Sequence, residues 1–187
     1  MTAIPGTIRP AAIADAAAIA QVRVDAWRDT YRGMIPDAYL ANMSVPGSTA
    51  VWQRILNTHS DRTSVFVAED ASGVIGFASG NLRDPRKLGF DAELSAIYVR
   101  PERQRGGIGR RLVSVIAAAR RAQGATGLIV WLIAGNKAAR AFYEALGGEL
   151  LVEQPFQWDG LDLVEAGYGF RDLNALAAIG GANPALH

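Results

Sequence analysis

A β-favouring run that ends at Val99 gives way to a helical period, and the joint between them reads Arg100-Pro101-Glu102-Arg103-Gln104-Arg105-Gly106-Gly107-Ile108-Gly109-Arg110-Arg111. A strand-to-helix turn of this kind leaves the first backbone N–H groups of the helix unpaired and aimed outward, and its glycines let a phosphate approach them closely. The helix dipole adds ~0.3 to 1 kcal/mol for an anion at that place. Arg103, Arg105, Arg110 and Arg111 add mobile positive charge, so the segment reads as an anion site. Its glycine spacing is neither Gly-x-Gly-x-x-Gly nor Gly-x-x-x-x-Gly-Lys-Ser/Thr, which removes the motif support for dinucleotide-binding and P-loop readings.

The flanking sequence predicts one mixed domain. Thr7 to Pro10 reads as a short strand, and Asp15 as the N-cap of a helix running to about Tyr31, stopped by Gly33. Asp37 to Met43 and Ser48 to Thr58 read as short helices set off by Pro36 and Pro46-Gly47. The period then changes: Ser64 to Glu69 and Val74 to Ala78 form a hairpin through Asp70-Ala71-Ser72-Gly73. The polar stretch Leu82 to Asp91 reads as an exposed loop, and Ala92 to Val99 as an alternating strand. Ile108, Leu112, Val115 and Ala119 mark a helix to about Gln123. Leu128 to Ile133 is apolar throughout, as in a strand covered on both faces. Asn136 caps a further helix that Gly147-Gly148 stops, and strands Glu149 to Gln154 and Leu163 to Phe170 turn through Trp158-Asp159-Gly160. Residues 1–176 form the expected domain, with 177–187 as a loose tail.

Composition narrows the chemistry. Of 187 residues, 50% are hydrophobic and 20% charged, enough for one well-buried core. Nineteen Lys plus Arg against eighteen Asp plus Glu leave a formal charge of +1, which does not favour a globally basic nucleic-acid binder. There is no cysteine, which excludes disulfides, thiolate nucleophiles and Cys-based metal sites. The two histidines, His59 and His187, do not suffice for a His-rich metal centre, so no metal is expected. The opening Met1-Thr2-Ala3-Ile4-Pro5-Gly6 lacks a basic and then apolar leader, and the longest apolar stretches fall far below the ~20 residues that span a bilayer. A cytoplasmic protein without a membrane partner is expected.

Gln104-Arg105-Gly106-Gly107-Ile108-Gly109 resembles the Gln/Arg-x-x-Gly-x-Gly/Ala signature of the GCN5-related N-acetyltransferases, the GNAT family. Downstream, Asn136-Lys137-Ala138-Ala139-Arg140-Ala141-Phe142-Tyr143-Glu144-Ala145-Leu146-Gly147 is similar to that family's Asn-x-x-Ala-x-x-Phe-Tyr-x-x-x-Gly helix. The two signatures stand in the right order, and the resemblance covers roughly Thr7 to Phe170. It implies an α/β (mixed α+β) fold with a central, mostly antiparallel sheet of about seven strands flanked by helices, and a parallel pair splayed at the cofactor site. The resemblance further implies that acetyl-coenzyme A is held by Gln104, Arg105, Gly106, Gly107, Ile108, Gly109 and Arg110, with Ile97 and Val99 on the preceding strand and Asn136 near the pantetheine arm.

In the same family a tyrosine at the place of Tyr143 often protonates the departing thiolate, whereas packing alone would make Tyr143 a core residue. Glu93, at the start of the cofactor strand, is either a solvent-facing carboxylate or the acceptor of the amine's proton, with Asp91 as its nearest substitute. Trp27 and Tyr31 belong to the early helices that form one wall of the acceptor site in this family, although aromatic residues in helices are more often core. The expected activity is transfer of an acetyl group from acetyl-coenzyme A to a small-molecule or peptide primary amine, directly in a ternary complex, since no cysteine exists to carry the acetyl group. Two other readings stay open: a non-catalytic acyl-coenzyme A sensor on the same fold, and RNA binding through the arginine strip. A homodimer is compatible with all three.

Overall fold

Val65 to Ala68 and Val74 to Ala78, rich in β-branched and small apolar residues, pair as neighbouring strands of the sheet, and the remaining strands add on either side. In the computed structural model, which describes residues 6–58 and 60–181, seven strands form one sheet. They are β1 Thr7–Pro10, β2 Thr63–Asp70, β3 Gly73–Lys87, β4 Phe90–Val99, β5 Leu128–Ile133, β6 Glu149–Trp158 and β7 Leu161–Phe170. Their order is β1-β2-β3-β4-β5-β7-β6, antiparallel except where β4 meets β5. Six α-helices flank it: α1 Ala16–Thr30, α2 Asp37–Asn42, α3 Val45–Asn57, α4 Ile108–Ala122, α5 Lys137–Ala145 and α6 Leu173–Ala178. The expected mixed fold and its parallel pair are therefore present. Among the described residues no helix is long and apolar enough to cross a membrane.

Each face of the sheet has its own core. On one, Leu112, Val113 and Ile116 of α4 pack against Ala78, Leu94, Leu128 and Val130. On the other, Ile19 and Val22 of α1 and Trp52 of α3 cover Val67 and Phe77. Each large side chain buried in this way contributes ~1.5 to 3 kcal/mol. Helix α4 is buried beyond its apolar stripe because α6 covers its outer side, with Leu173 and Leu176 in the core and the Ser114 hydroxyl donating to the Ala177 carbonyl. The first part of the expected tail is thus docked on α4, and 182–187, with His187, lie outside the described residues, as do Met1 to Pro5 and His59.

Several boundaries differ from the sequence reading, each for a local reason. The polar stretch Leu82 to Asp91 is not a loop: β3 and β4 continue through it as a hairpin, with Leu82 opposite Ala92 and Lys87 opposite Phe90. Backbone pairing carries this extension, and its exposed Asp84, Pro85 and Arg86 supply no apolar pattern from which to read it. The carboxylate of Asp15 does not cap α1. It turns back to the Ala12 N–H at 2.7 Å and to Arg9 at 2.7 Å, and Arg9 also reaches Glu69 at 2.7 Å. Helix α3 begins at Val45, so Pro46 and Gly47 sit in its first turn, where a missing N–H costs nothing, and the Ser44 hydroxyl accepts from the Gly47 N–H. Strand β6 continues to Trp158, so Asp159 and Gly160, with φ 48° and 80°, alone make the turn into β7.

Arg120 is a buried cation, 1% exposed, at the far end of α4. It donates to the Arg62 carbonyl at 2.7 Å and to the Ser64 hydroxyl, and so pins the start of β2 to the helix.

Candidate active site: a cleft between parting strands

Strands β4 and β5 pair only at Ala92 with Leu128, Glu93 with Ile129 and Leu94 with Val130. Ser95, the next residue, is a bulge: Leu94 stands opposite Gly80 and Ala96 opposite Ser79, so Ser95 has no partner of its own. Its hydroxyl donates to the Ser79 carbonyl at 3.1 Å. Gly80 is required beside it, because a Cβ there would come within 2.5 Å of Ile116 Cγ2.

The bulge reverses the alternation of the strand. Before it, the Ala92 N–H donates toward β5 at Gly127. After it, the Arg100 N–H donates to Ile75 of β3 at 2.9 Å, so by alternation the amides of Ile97 and Val99 turn away from β3 into the gap. Straight alternation, as the sequence suggests, would have left Tyr98 on the face of Leu94. Instead Ile97 and Val99 pack toward α4, and Ala96 and Tyr98 toward α1. The gap is a cleft of about 550 Å³ with Val130, Trp131 and Leu132 on its opposite wall.

At the outer end of the cleft lies the glycine turn. Gly107 (φ 81°) is the N-cap of α4 without a side-chain cap, and Arg105 shares its left-handed region at φ 62°. The Arg111 N–H takes the Gly107 carbonyl at 3.1 Å, which leaves the N–H groups of Ile108, Gly109 and Arg110 without an intrahelical acceptor at the mouth of the cleft. The glycines act differently: a Cβ at Gly107 would meet nothing within 4 Å, whereas one at Gly109 would touch the Phe142 ring at 3.4 Å. Gly107 therefore serves conformation, whereas a Cβ at Gly109 would make only an ordinary contact with α5. Gln104 braces the turn by donating to the Val99 carbonyl at 3.1 Å.

Three of the four arginines expected as mobile charge are tied down. Arg103 pairs with Asp70 at 3.0 Å, Arg110 donates to the Ile179 carbonyl at 2.9 Å, and Arg111 to the Gly6 carbonyl at 2.7 Å. Arg105 makes no ion pair among the described residues and lines the cleft, as Arg110 still does. An elongated ligand with phosphate at one end and an amide-bearing arm fits these walls: unpaired amides at the mouth, strand amides along the side and apolar surface between.

At the inner end Tyr143, Asn136 and Tyr31 line the same cleft as Tyr98. Tyr143 is 4% exposed. Burial, and after it the neighbouring Tyr98 hydroxyl, pushes its phenol well up. Burial also pushes up Tyr31, with Tyr98 and Tyr143 adding to the shift and Asn136 opposing it, and Tyr98 is raised by burial as well. All three phenols are thus held neutral at ordinary pH, as proton donors. The Asn136 side-chain Oδ1 caps α5 by accepting the Ala139 N–H at 3.0 Å.

A second cavity, about 690 Å³, lies on the other side of β4. It shares Ser95, Ala96 and Tyr98 with the first, so the two spaces meet at the bulge. Trp27, Trp52 and Trp158 wall it. Trp27 packs edge-on against Tyr31 at 4.8 Å and lies 5.9 Å from Trp158, whose indole N–H donates to the Tyr39 hydroxyl. Tyr31 thus lies at the cleft and Trp27 at the second cavity.

Glu93 lines neither space. Its carboxylate pairs with Arg83 Nε at 3.3 Å, beside Asn81, its register partner on β3. Asp91 is committed elsewhere: it accepts from the Thr126 N–H and hydroxyl, each at 2.8 Å, and the Gly127 N–H at 3.0 Å, and it pairs with Arg86. Burial works against its charge, but the Gly127 and Thr126 donors outweigh it and hold the carboxyl below the usual range. Such a locked carboxylate is a poor substitute for Glu93. Ser95, Tyr98, Arg23 and Trp158 were not singled out by the sequence. A bulge leaves no composition signature, and Trp158 reads as part of a turn. Among the described residues no group of three His, Cys, Asp or Glu comes together.

Comparison with known proteins agrees with this geometry. A family model described as the acetyltransferase (GNAT) family matches residues 24–148. The protein named "Uncharacterized N-acetyltransferase YuaI" of Bacillus subtilis (strain 168) is 38% identical over 175 residues, which cover 92% of this chain and 97% of that one. The crystal structure of PaiA N-acetyltransferase from Thermoplasma acidophilum in complex with coenzyme A superposes with a TM-score of 0.67 at 20% identity, covering 87% of this chain and 98% of that one. The structure of YncA from Salmonella typhimurium, a putative acetyltransferase with its cofactor acetyl-CoA, superposes with a TM-score of 0.63 at 24% identity, covering 90% and 94%.

Proposed function

The chain belongs to the GNAT acetyltransferase family, which depends on acetyl-coenzyme A, and from that premise we propose that it acetylates a primary amine by direct transfer within a ternary complex. The observation that carries this reading is the meeting of two cavities at the Ser95 bulge, one with phosphate-ready amides at its mouth and the other walled by indoles. With no cysteine in the chain, no thiol is present to carry the acetyl group between them.

Acetyl-coenzyme A supplies an activated thioester. Ile108, Gly109 and Arg110 hold its pyrophosphate through backbone N–H groups, and Gln104, Arg105, Gly106 and Gly107 complete that end. Ile97 and Val99 pair with the pantetheine arm and polarise the carbonyl, a contribution often worth ~2.7 to 4 kcal/mol. Asn136 orients the arm while capping α5. As the amine nitrogen bonds to the carbonyl carbon and the C–S bond breaks, Tyr143 gives its phenolic proton to the departing sulfur. Glu93 receives the amine's proton through water, because its pairing with Arg83 keeps it out of direct contact. Trp27 and Tyr31 bound the acceptor.

The test is thiol release from acetyl-coenzyme A against a broad panel of amines and peptides. Release that depends on a particular amine is the expected result. Tight cofactor binding with no release for any acceptor would leave the chain as a sensor.

A further inference from the structure

We infer that the acceptor amine also carries an oxyanion, a carboxylate or a group of like charge, held by Arg23 and Arg62 in the second cavity. The inference rests on the reading of that cavity as the acceptor site and names the class of acceptor. Three charged residues line it, Arg23, Arg62 and Arg83, and among the described residues no Asp or Glu does. Arg83 is neutralised by Glu93 at 3.3 Å.

The other two cations are uncompensated. Arg23, half-buried on α1, sits with its guanidinium carbon 4.8 Å from the centre of the Trp27 ring and makes no ion pair or hydrogen bond among the described residues. Asp159 lies in the adjoining recess without pairing to it. Arg23 lines this cavity together with Ser95, Ala96 and Tyr98, the residues at which the two cavities join. Arg62, at the rim, has its backbone fixed on two sides: its carbonyl accepts from buried Arg120 at 2.7 Å and from the Leu82 N–H at 2.8 Å. Its side chain makes no ion pair among the described residues.

A simple alkylammonium would enter this cavity against two unbalanced positive charges. A molecule with both an amine and an oxyanion removes the conflict, because the guanidinium fork matches a planar carboxylate. Trp27, Trp52, Trp158 and Ile55 then cover an apolar body. The acceptor class is therefore an amino acid or related amino oxyanion with an apolar or aromatic side chain.

The test uses matched compounds that differ only by the carboxylate. Binding of N-acetylphenylalanine and N-acetylphenethylamine to the intact protein is followed by tryptophan fluorescence, and acetylation of phenylalanine and phenethylamine by thiol release. Hydrogen bonds to charged groups predict about 10- to 100-fold tighter binding, and higher kcat/KM, for the acid-bearing member of each pair. Arg23→Gln should remove at least about tenfold of that preference through KM, and Arg62→Gln a smaller part, with coenzyme A affinity unchanged. Arg23→Lys, which keeps the charge, should restore part of it. Equal binding of the two acetylated compounds by the wild-type protein, or an intact preference in both glutamine variants, overturns the inference. The product-binding arm reads out even if no amine is acetylated, which would instead remove the proposed activity.

Discussion

Replacing Gly107 by alanine separates what this glycine does for the backbone from what it does for space. At φ 81° an L-residue is strained, by ~1 to 2 kcal/mol. The added Cβ meets nothing within 4 Å, so no steric contribution accompanies that strain. For a domain of this size each kcal/mol lowers Tm by ~2 to 4 °C, which predicts a fall of ~2 to 8 °C. If the free protein instead relaxes the turn, the strain is met on rebuilding it around the pyrophosphate, and the coenzyme A Kd rises ~5- to 30-fold while Tm falls less. Gly109→Ala is the contrast: its φ is ordinary, its Cβ makes an acceptable contact with Phe142 at 3.4 Å, and alanine exceeds glycine inside a helix by ~0.5 to 1 kcal/mol. Its Tm should hold or rise. Differential scanning calorimetry and isothermal titration with coenzyme A measure both quantities, and Gly107→Val should exceed Gly107→Ala in each. Unchanged Tm and Kd for Gly107→Ala, or equal losses at the two positions, would refute the assignment of a conformational role to Gly107 and not to Gly109.

Tyr143→Phe should lower kcat by ~10²-fold or more with cofactor Kd nearly constant, and a loss below about threefold would return Tyr143 to packing. Because burial raises its phenol, the wild-type alkaline limb should not titrate as an ordinary tyrosine. Glu93→Gln should reduce kcat/KM most at neutral pH and recover in alkaline buffer, where an amine of pKa ~10.4 loses its proton unaided; parallel pH profiles with equal rates would remove Glu93 from the mechanism. Asp91→Asn should cost ~1 to 3 kcal/mol at neutral pH, measured by urea unfolding. Since the folded carboxyl of Asp91 lies below its unfolded value of ~3.9, its contribution is complete above that pH and lost as pH falls through the folded value. The wild-type and variant stabilities should therefore converge in acid.

The glycine turn and the α5 helix were legible in sequence because Gly107 and Asn136 do local work that residue type reveals: a positive φ and a side-chain cap. The flanking arginines were not, since Arg103, Arg110 and Arg111 find Asp70, Ile179 and Gly6 far along the chain. The Ser95 bulge is likewise a property of register between β3 and β4. A one-residue slip there moves Tyr98 to the other face and so decides which residues line each cavity. The long hairpin through Leu82 and Phe90 was hidden because its exposed residues alternate in nothing, and only pairing defines it. Asp91 reads as a candidate base from its place next to the cofactor strand, whereas its three hydrogen bonds to Thr126 and Gly127, far along the chain, commit it to the fold.

The central claim, that the parted strands and the glycine turn bind acetyl-coenzyme A, is tested most directly by titrating isotope-labelled protein with the cofactor and following backbone amide resonances. The account predicts saturable shifts at Ile108, Gly109 and Arg110 and at Ile97 and Val99, with the remote amides of β1 unmoved. No shift at those five amides with millimolar acetyl-coenzyme A, or shifts confined to another surface, would contradict it.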